Sequence, residues 1–348
     1  MKELTCDLHI VGGALTGLLT AYSLRRLGYT ILISEKKYLN YNKQYTTKDT
    51  RTTAIAEGSK VFLEEIGLWR IIKDFVEPIK YINVIDTNAK SGINFYNPKK
   101  GSSLGYIIKN SILIKALLNE LKQRNNVKFL SGTALTSITY SQSKVISISK
   151  DKKIYSKLII AADGKYSTVR HLLKTGILKK EYNEKALVIN FCHQKPHKNI
   201  AYEFFYNSGP LAILPMQSKK TKFQSALIWS NKSEHVDFMT SLKSNKKYIK
   251  EILNEKIYQK LGRITKINSL EAFPLSAHIN ERFYEERIIY VGDSAHSFHP
   301  IAGQGWNLGV RDVNSLTNIL KKTKKFDQEI GSFNFCKSYH NSCYYDAY

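Results

Sequence analysis

Three stretches of this 348-residue chain combine residue types suited to holding a nucleotide. The first is Gly12-Gly13-Ala14-Leu15-Thr16-Gly17, between the apolar run Thr5 to Val11 and an apolar-periodic segment from Leu15 to Leu27. A dinucleotide turn needs G-x-G-x-x-G, so that backbone N–H groups at a helix N-terminus can approach a pyrophosphate. Ala14 occupies the second glycine position, and its methyl beside the phosphate path predicts weakened binding. Glu35 closes a second apolar run, Tyr29 to Ser34, where an acid can grip ribose hydroxyls. An acid there disfavours a 2′-phosphate, so FAD or NAD is expected ahead of NADP. Alone, such a loop could be an ordinary tight turn; the order strand, turn, helix, strand, acid is what points to a nucleotide.

The second stretch is the apolar run Leu158 to Ala162 followed by Asp163-Gly164-Lys165-Tyr166-Ser167 and Arg170. A buried strand running into Asp-Gly places a carboxylate at the carboxyl edge of a sheet, where ligands bind. The third runs from Tyr290 to Asp312 and contains Gly292-Asp293, His296, His299-Pro300 and Gly303-Gln304-Gly305. Asp293 at a strand end suits a polyol hydroxyl. Pro300 and Gly303 to Gly305 make a tight path that brings N–H groups and a helix N-terminus toward a flat, electron-rich ring. His296 and His299 are read as loop hydrogen-bonders, Trp306 as packing beside that ring, and His278 as a candidate in a substrate pocket.

The elements needed to position these residues are legible in outline. Residues 5–35 predict a β-α-β unit and hence a parallel sheet. Residues Thr53 to Leu68 predict a helix, Ile79 to Tyr96 antiparallel strands, and Ser111 to Arg124 an amphipathic helix capped by its serine. Hairpins are expected from Val127 to Ala162, a β-rich block over 184–230 and a lysine-rich helix over 236–261. Tyr202, Phe204, Phe205 and Tyr206 read as sheet core or pocket wall. The last residues, 343–348, are weakly patterned and predict an incompletely covered apolar face.

Composition narrows the class. A hydrophobic content of 43% with 24% charged residues supports a sizeable core, which excludes a disordered tail or fibre. No apolar stretch approaches the ~18 residues of a membrane helix, and Glu3 and Asp7 argue against a cleavable leader. The net charge of +24 is spread over short, separate lysine clusters, which reads first as a solvated surface. An anionic membrane surface is the next reading; nucleic acid is not expected. Cys6, Cys192, Cys336 and Cys343 form no CxxC and no metal-like spacing, so free thiols in a reducing cytoplasm and no metal are expected.

The run His299 to Asp312 matches H-P-[LIV]-[AG]-G-Q-G-x-N-x-G-x-x-D at every fixed position. On it the chain resembles the flavoprotein aromatic hydroxylases, specifically their ubiquinone-biosynthesis branch. The Gly12 turn resembles that family's FAD adenosine site, and Asp49-Thr50-Arg51 its D-x-R, whose arginine lies near the flavin and its pyrophosphate. Asp163-Gly164 resembles the motif shared by FAD and a transient pyridine nucleotide, and Gly292-Asp293 the ribityl-binding motif. Phe273 to His278 resembles the segment before the last strand.

The resemblance implies an α/β fold: a three-layer, Rossmann-like FAD-binding domain (1–75, 100–180 and 270–348) with an inserted β-sheet-based substrate domain (76–99 and 181–269). Cofactor contacts are expected from Gly12, Gly13, Ala14, Gly17, Glu35, Arg51, Asp163, Gly164, Gly292, Asp293, Pro300, Gly303, Gln304, Gly305 and Asn307, with His278 as the catalytic candidate. FAD would be non-covalent, because no cysteine falls in these motifs. The implied reaction uses NAD(P)H as a transient reductant and O2 to hydroxylate the ring of a prenylated phenol. A cytoplasmic protein is expected, peripheral on the inner face of the membrane and beside other ubiquinone-synthesis proteins. No amphipathic anchor is evident, so the attraction is expected to be electrostatic. The alternatives are a flavin oxidoreductase acting on a lipid without oxygen insertion, and a non-catalytic member of a quinone-synthesis assembly.

Overall fold

The N-terminal apolar run forms β1 (Lys2–Val11), whose Leu8 and Ile10 on one face and His9 on the other are fully buried. Such burial requires cover on both faces, the normal state of a parallel sheet. Helix α1 (Leu15–Leu24) crosses to β2 (Ile31–Glu35), which pairs in parallel with β1 from Leu8↔Ile31 to Val11↔Ser34. The helix stops before Leu27, and Gly28 turns the chain at φ +79°. The computed structural model describes residues 1–38, 49–89, 91–99, 101–141, 143–219, 222–241, 246–299 and 304–347.

Residues Thr52–Ala56 form a strand, β3, where a helix was expected from Thr53. Thr53 and Ile55 bury on one side while the strand pairs with a later one, and tertiary pairing overrides helical periodicity. Helices α2 (Glu57–Glu65) and α3 (Trp69–Ile72) follow, then β4 (Glu77–Ile79), β5 (Tyr81–Asp86), β6 (Ser91–Tyr96) and β7 (Gly105–Lys109). Helix α4 (Asn110–Lys122) begins one residue before Ser111, so that serine is not its cap. Strand β8 (Val127–Ser131) joins β2 in parallel and makes no hairpin. The expected hairpins are confined to β9 (Leu135–Tyr140), β10 (Val145–Ser149) and β11 (Lys152–Ala161).

Beyond the short helix α5 (Thr168–Leu173) come four long strands: β12 (Ile177–His193), β13 (Ile200–Tyr206), β14 (Gly209–Lys219) and β15 (Lys222–Lys232). The lysine-rich segment is two helices, α6 (Ser233–Ser241) and α7 (Lys246–Leu261). Strand β16 (Ile264–Asn280) leads to β17 (Tyr284–Glu285), β18 (Ile288–Tyr290), β19 (His296–Ser297), α8 (Gln304–Lys325) and α9 (Phe333–Ala347).

The first sheet runs β17-β18-β11-β1-β2-β8, with β10 and β9 attached to β11. Its core joins Leu8 and Ile10 to Leu18 of α1, Leu117 of α4, Leu316 of α8 and Tyr339 of α9. The second runs β19-β16-β12-β15-β14-β13-β5-β6, and one face packs Ile189, Ile213 and Leu227 against Met239 of α6 and Leu253 of α7. A small sheet, β3-β7-β4, lies between the two: Ile55 and Ile108 enter the first core, and Ile79 and Ile107 pack against Ala201, Met216 and Ala226 of the second sheet. Helix α9 buries Phe335, Cys336, Tyr339, Cys343 and Ala347, so the weakly patterned C-terminal residues supply a covering face. All four cysteines are buried free thiols.

Candidate functional site

Two glycines let backbone approach backbone at the end of β1. At Gly12 a Cβ would lie 2.3 Å from the Ala162 carbonyl oxygen, and at Gly17 only 1.9 Å from the Gly12 carbonyl oxygen. Any side chain there would push β11 or α1 away from the turn. Gly13 donates its N–H to Glu35 Oε2 (2.9 Å), so the acid at the end of β2 braces the glycine turn. Ala14 is exposed, with φ −91° and ψ −169°, an extended conformation open to any residue. Its methyl imposes no backbone strain. Glu35, Asp163 and Gly12 share an open cleft with Ser34, Leu135 and Thr168.

At the end of β11, Asp163 Oδ2 accepts the backbone N–H groups of Thr168 (2.6 Å) and Val169 (3.2 Å) and so holds the start of α5. Its Oδ1 is buried without a hydrogen-bond partner, and burial raises its carboxyl above the ordinary range. Gly164 follows at φ +81°. Arg170 Nη1 donates to His278 Nε2 (3.1 Å) and to the Ser294 carbonyl (2.9 Å), tying α5, β16 and the Gly292 turn together. His278 is 3% exposed, and burial with the neighbouring Arg170 cation lowers it to about 4. It is therefore a neutral acceptor at pH 7.

The Gly292-Asp293 turn follows β18. Gly292 donates its N–H to Asp312 Oδ2 (2.8 Å), and the same oxygen lies 2.7 Å from His296 Nε2 in a fully buried pair. His296 thus supports the loop, as does His299, whose Nε2 lies 3.3 Å from Glu184 Oε2. Asp293 itself stays accessible, but the protein around it raises its carboxyl; His296, Arg51 and Lys165 pull the other way. Asn307 of α8 accepts from Ala56 N–H and Ser59 Oγ and donates to the Ala54 carbonyl, pinning β3 against α8. Gly305 has open space around it and Trp306 packs on the first core. Gln304 opens α8; Pro300 and Gly303 lie outside the described residues.

Arg51 makes a bidentate pair with Asp49, through Nε (2.9 Å) and Nη2 (2.9 Å), which with the Asp293 and Glu271 charges holds it firmly protonated. Its guanidinium sits 5.5 Å from the centre of the Phe273 ring. Three residues that sequence reasoning missed position this arginine. Asn110 Nδ2 reaches Asp49 Oδ2 (3.4 Å), Glu271 Oε1 accepts from Thr50 Oγ1 (2.8 Å), and Asn190 Nδ2 donates to the Thr50 carbonyl (2.5 Å). Asn190 carried a signal, as the one polar residue in Leu187-Val188-Ile189-Asn190-Phe191. Asn110 and Glu271 carried none.

The donor set suits a flavin nucleotide on three grounds: the Cβ-free approach at Gly12 and Gly17, the cleft edged by Glu35 and Asp163, and the spare buried acceptor Asp163 Oδ1. Fold and site together define a nucleotide-binding protein of the flavin type. Residues 5–341 match the FAD binding domain family, and the chain belongs to it. Its sequence relatives include ubiquinone hydroxylases. It is 28% identical to the ubiquinone hydroxylase UbiL of Rhodospirillum rubrum over 94% of this chain and 75% of that one. It is 24% identical to the 3-demethoxyubiquinol 3-hydroxylase of Escherichia coli over 97% and 85%. Its fold is also that of p-nitrophenol 4-monooxygenase PnpA from Pseudomonas putida, with TM-score 0.77 at 16% identity, covering 98% of this chain and 85% of that one.

Proposed function

We propose that this chain is an FAD-dependent monooxygenase that hydroxylates the aromatic ring of a polyprenylated phenol in ubiquinone biosynthesis. One observation carries the reading: four separate motifs, at Gly12, Arg51, Asp163 and Asp293, converge in a protein whose relatives are named ubiquinone hydroxylases. In this reading the first α1 turn receives the pyrophosphate and Glu35 the adenosine ribose. Asp293 accepts ribityl hydroxyls, and Arg51, held by Asp49, lies beside pyrophosphate and flavin. Gly13, Ala14, Gly164, Pro300, Gly303, Gln304, Gly305 and Asn307 complete the cofactor contacts, directly or by shaping the loops. The flavin, reduced by a transient NAD(P)H, supplies the oxygen chemistry. His278 acts by positioning Arg170, since a neutral imidazole already accepting a hydrogen bond is a poor proton donor.

The FAD domain takes 1–75, 100–180 and 270–348, and the substrate domain 76–99 and 181–269. Among the described residues no helix is long and apolar enough to cross a membrane. A prenylated substrate still requires a meeting at a bilayer, and the +24 charge favours anionic lipid at a membrane's cytoplasmic face.

The decisive experiment purifies the protein, releases its flavin by denaturation, and follows NAD(P)H and O2 consumption with a prenylated phenol. FAD release and O2-derived hydroxyl in the product are expected. Reduction without oxygen insertion would establish the lipid oxidoreductase instead, and a colourless protein that cannot be reconstituted would leave only a scaffold. Complementing bacterial strains that each lack one ring hydroxylase then assigns the ring position.

A further inference from the structure

The second sheet has two unlike faces. One is sealed by α6 and α7. On the other, strand register sets six residues in one continuous row: Val188 beside Ile228, Ile228 beside Ala212, Ala212 beside Glu203, Glu203 beside Val84, and Val84 beside Ile93. The row starts at the site. Val188 is opposite Glu271, which accepts from Thr50 next to Arg51. It spans five inter-strand steps of about 4.8 Å, roughly 24 Å in all. Exposure rises along it, from Val188 at 9% through half-buried Ile228, Ala212, Glu203 and Val84 to Ile93 at 62%. Burial alone pushes the Glu203 carboxyl up to about 7, so its one acid is neutral for about half of the time at neutral pH.

The row ends on β6, the free edge of the sheet, where all six residues are exposed. Edge strands are normally blunted with charge or proline. This one presents Ile93, Phe95 (48%) and Tyr96 (64%), with Tyr81 (48%) across from Tyr96 on β5. Exposed Lys80 and Lys99 flank the hairpin. Ile93 and Phe95 on the face of the row, and Tyr96 with Tyr81 on the opposite face, give this edge exposed apolar side chains on both sides with lysines beside them, which matches the chemistry of an anionic lipid interface.

We infer that the β5–β6 hairpin is the edge at which this protein docks on an anionic bilayer, and that the row behind it is the path along which the substrate's isoprenoid tail runs from the site to the lipid. The inference deepens the hydroxylase reading and rests on it for the nature of the tail. It adds an apolar wedge to the electrostatic attraction expected from charge alone.

The test is flotation of the full-length protein with phosphatidylglycerol–phosphatidylcholine vesicles. The double variant Ile93→Ser, Phe95→Ser should bind roughly tenfold or more weakly than the unaltered protein, because two apolar side chains no longer enter the lipid. Both positions are exposed, so FAD content and thermal midpoint should not change. A second variant, Phe95→Trp, should show a blue-shifted emission that lipid-carried quenchers reduce. Equal binding by the double variant, or no quenching at Trp, overturns the inference. So does a dimer of the unaltered protein that the double variant dissolves, which would make a second copy the occupant. Docking needs no substrate, so its failure and the failure of the hydroxylase reading are separately visible.

Discussion

At the residue scale, the site separates groups that can touch a cofactor from groups that hold those groups still. Asp293 is accessible, whereas His296 and Asp312 are buried against each other. A carboxylate accepting hydroxyl hydrogen bonds contributes about 1.5–3 kcal/mol, or roughly 10- to 150-fold in affinity. Asp293→Ala should therefore raise the dissociation constant for FAD by that factor in a titration of the apoprotein. The thermal midpoint of that apoprotein should stay nearly unchanged. His296→Ala should lower the midpoint more than the affinity, because it leaves the buried Asp312 carboxylate with only the Gly292 N–H beside it. If the two variants lose flavin affinity equally, Asp293 is not the ribityl acceptor. Ala14 is a contrasting case: extended and exposed, it should tolerate Ala14→Gly with a stability change within about 0.5 kcal/mol and no gain in FAD affinity.

At the element scale, the first sheet depends on polar stitches as well as apolar burial. His9 of β1 lies 2.9 Å from Ser34 Oγ of β2 through Nε2 and 2.7 Å from Ser147 Oγ of β10 through Nδ1, entirely buried. Burial lowers it from 6.5 to about 3, and His278 falls to about 4. The folded protein keeps both imidazoles neutral where the unfolded chain would protonate them. Their stabilisation is thus complete above pH 6.5 and is lost as pH falls toward 4 and then 3. Thermal midpoints measured across this window should drop with acid, and His9→Gln should flatten the slope. A slope unaltered by that change would remove His9 from the account. The α1–β1 contact is the other sensitive joint. Gly17→Ala forces a methyl into the Gly12 carbonyl and should cost about 1–3 kcal/mol, with loss of flavin retention.

At the scale of the whole molecule, the C-terminal helix closes the first core. Tyr339 Oη donates to the Tyr290 carbonyl (2.8 Å), two residues before the Gly292 turn, and Phe283 packs edge-on to Tyr344. Ending the chain after Ser332 would remove Phe335, Cys336, Tyr339 and Cys343 together and uncover the core around Phe283 and Tyr290 that they cover. Loss of several buried side chains at 2–5 kcal/mol each, a rough figure, exceeds the usual margin of stability. The truncated protein should be insoluble or flavin-free. Recovery of a soluble yellow protein would show that α9 is dispensable.

Much of this protein is written in local pattern. The β1-α1-β2 unit, the strand ending at Asp163 and the strand before Gly292 were legible because each combines an apolar run with a turn residue at a fixed offset. Glycine, aspartate and helix N-termini do their work over a few adjacent residues, so their spacing in the chain survives into space. The fold class followed from the same units. What pattern could not decide was pairing between distant segments. Thr52–Ala56 carries a helix-compatible sequence and becomes a strand only because β7 lies beside it. Asn190 holds the Thr50 carbonyl and Glu271 the Thr50 hydroxyl from strands more than a hundred residues away, and no spacing links either of them to Arg51. The apolar row from Val188 to Ile93 draws on six strands, each contributing one residue. Only sheet register aligns them, because hydrogen bonding between strands fixes which side chains are neighbours and which face they share.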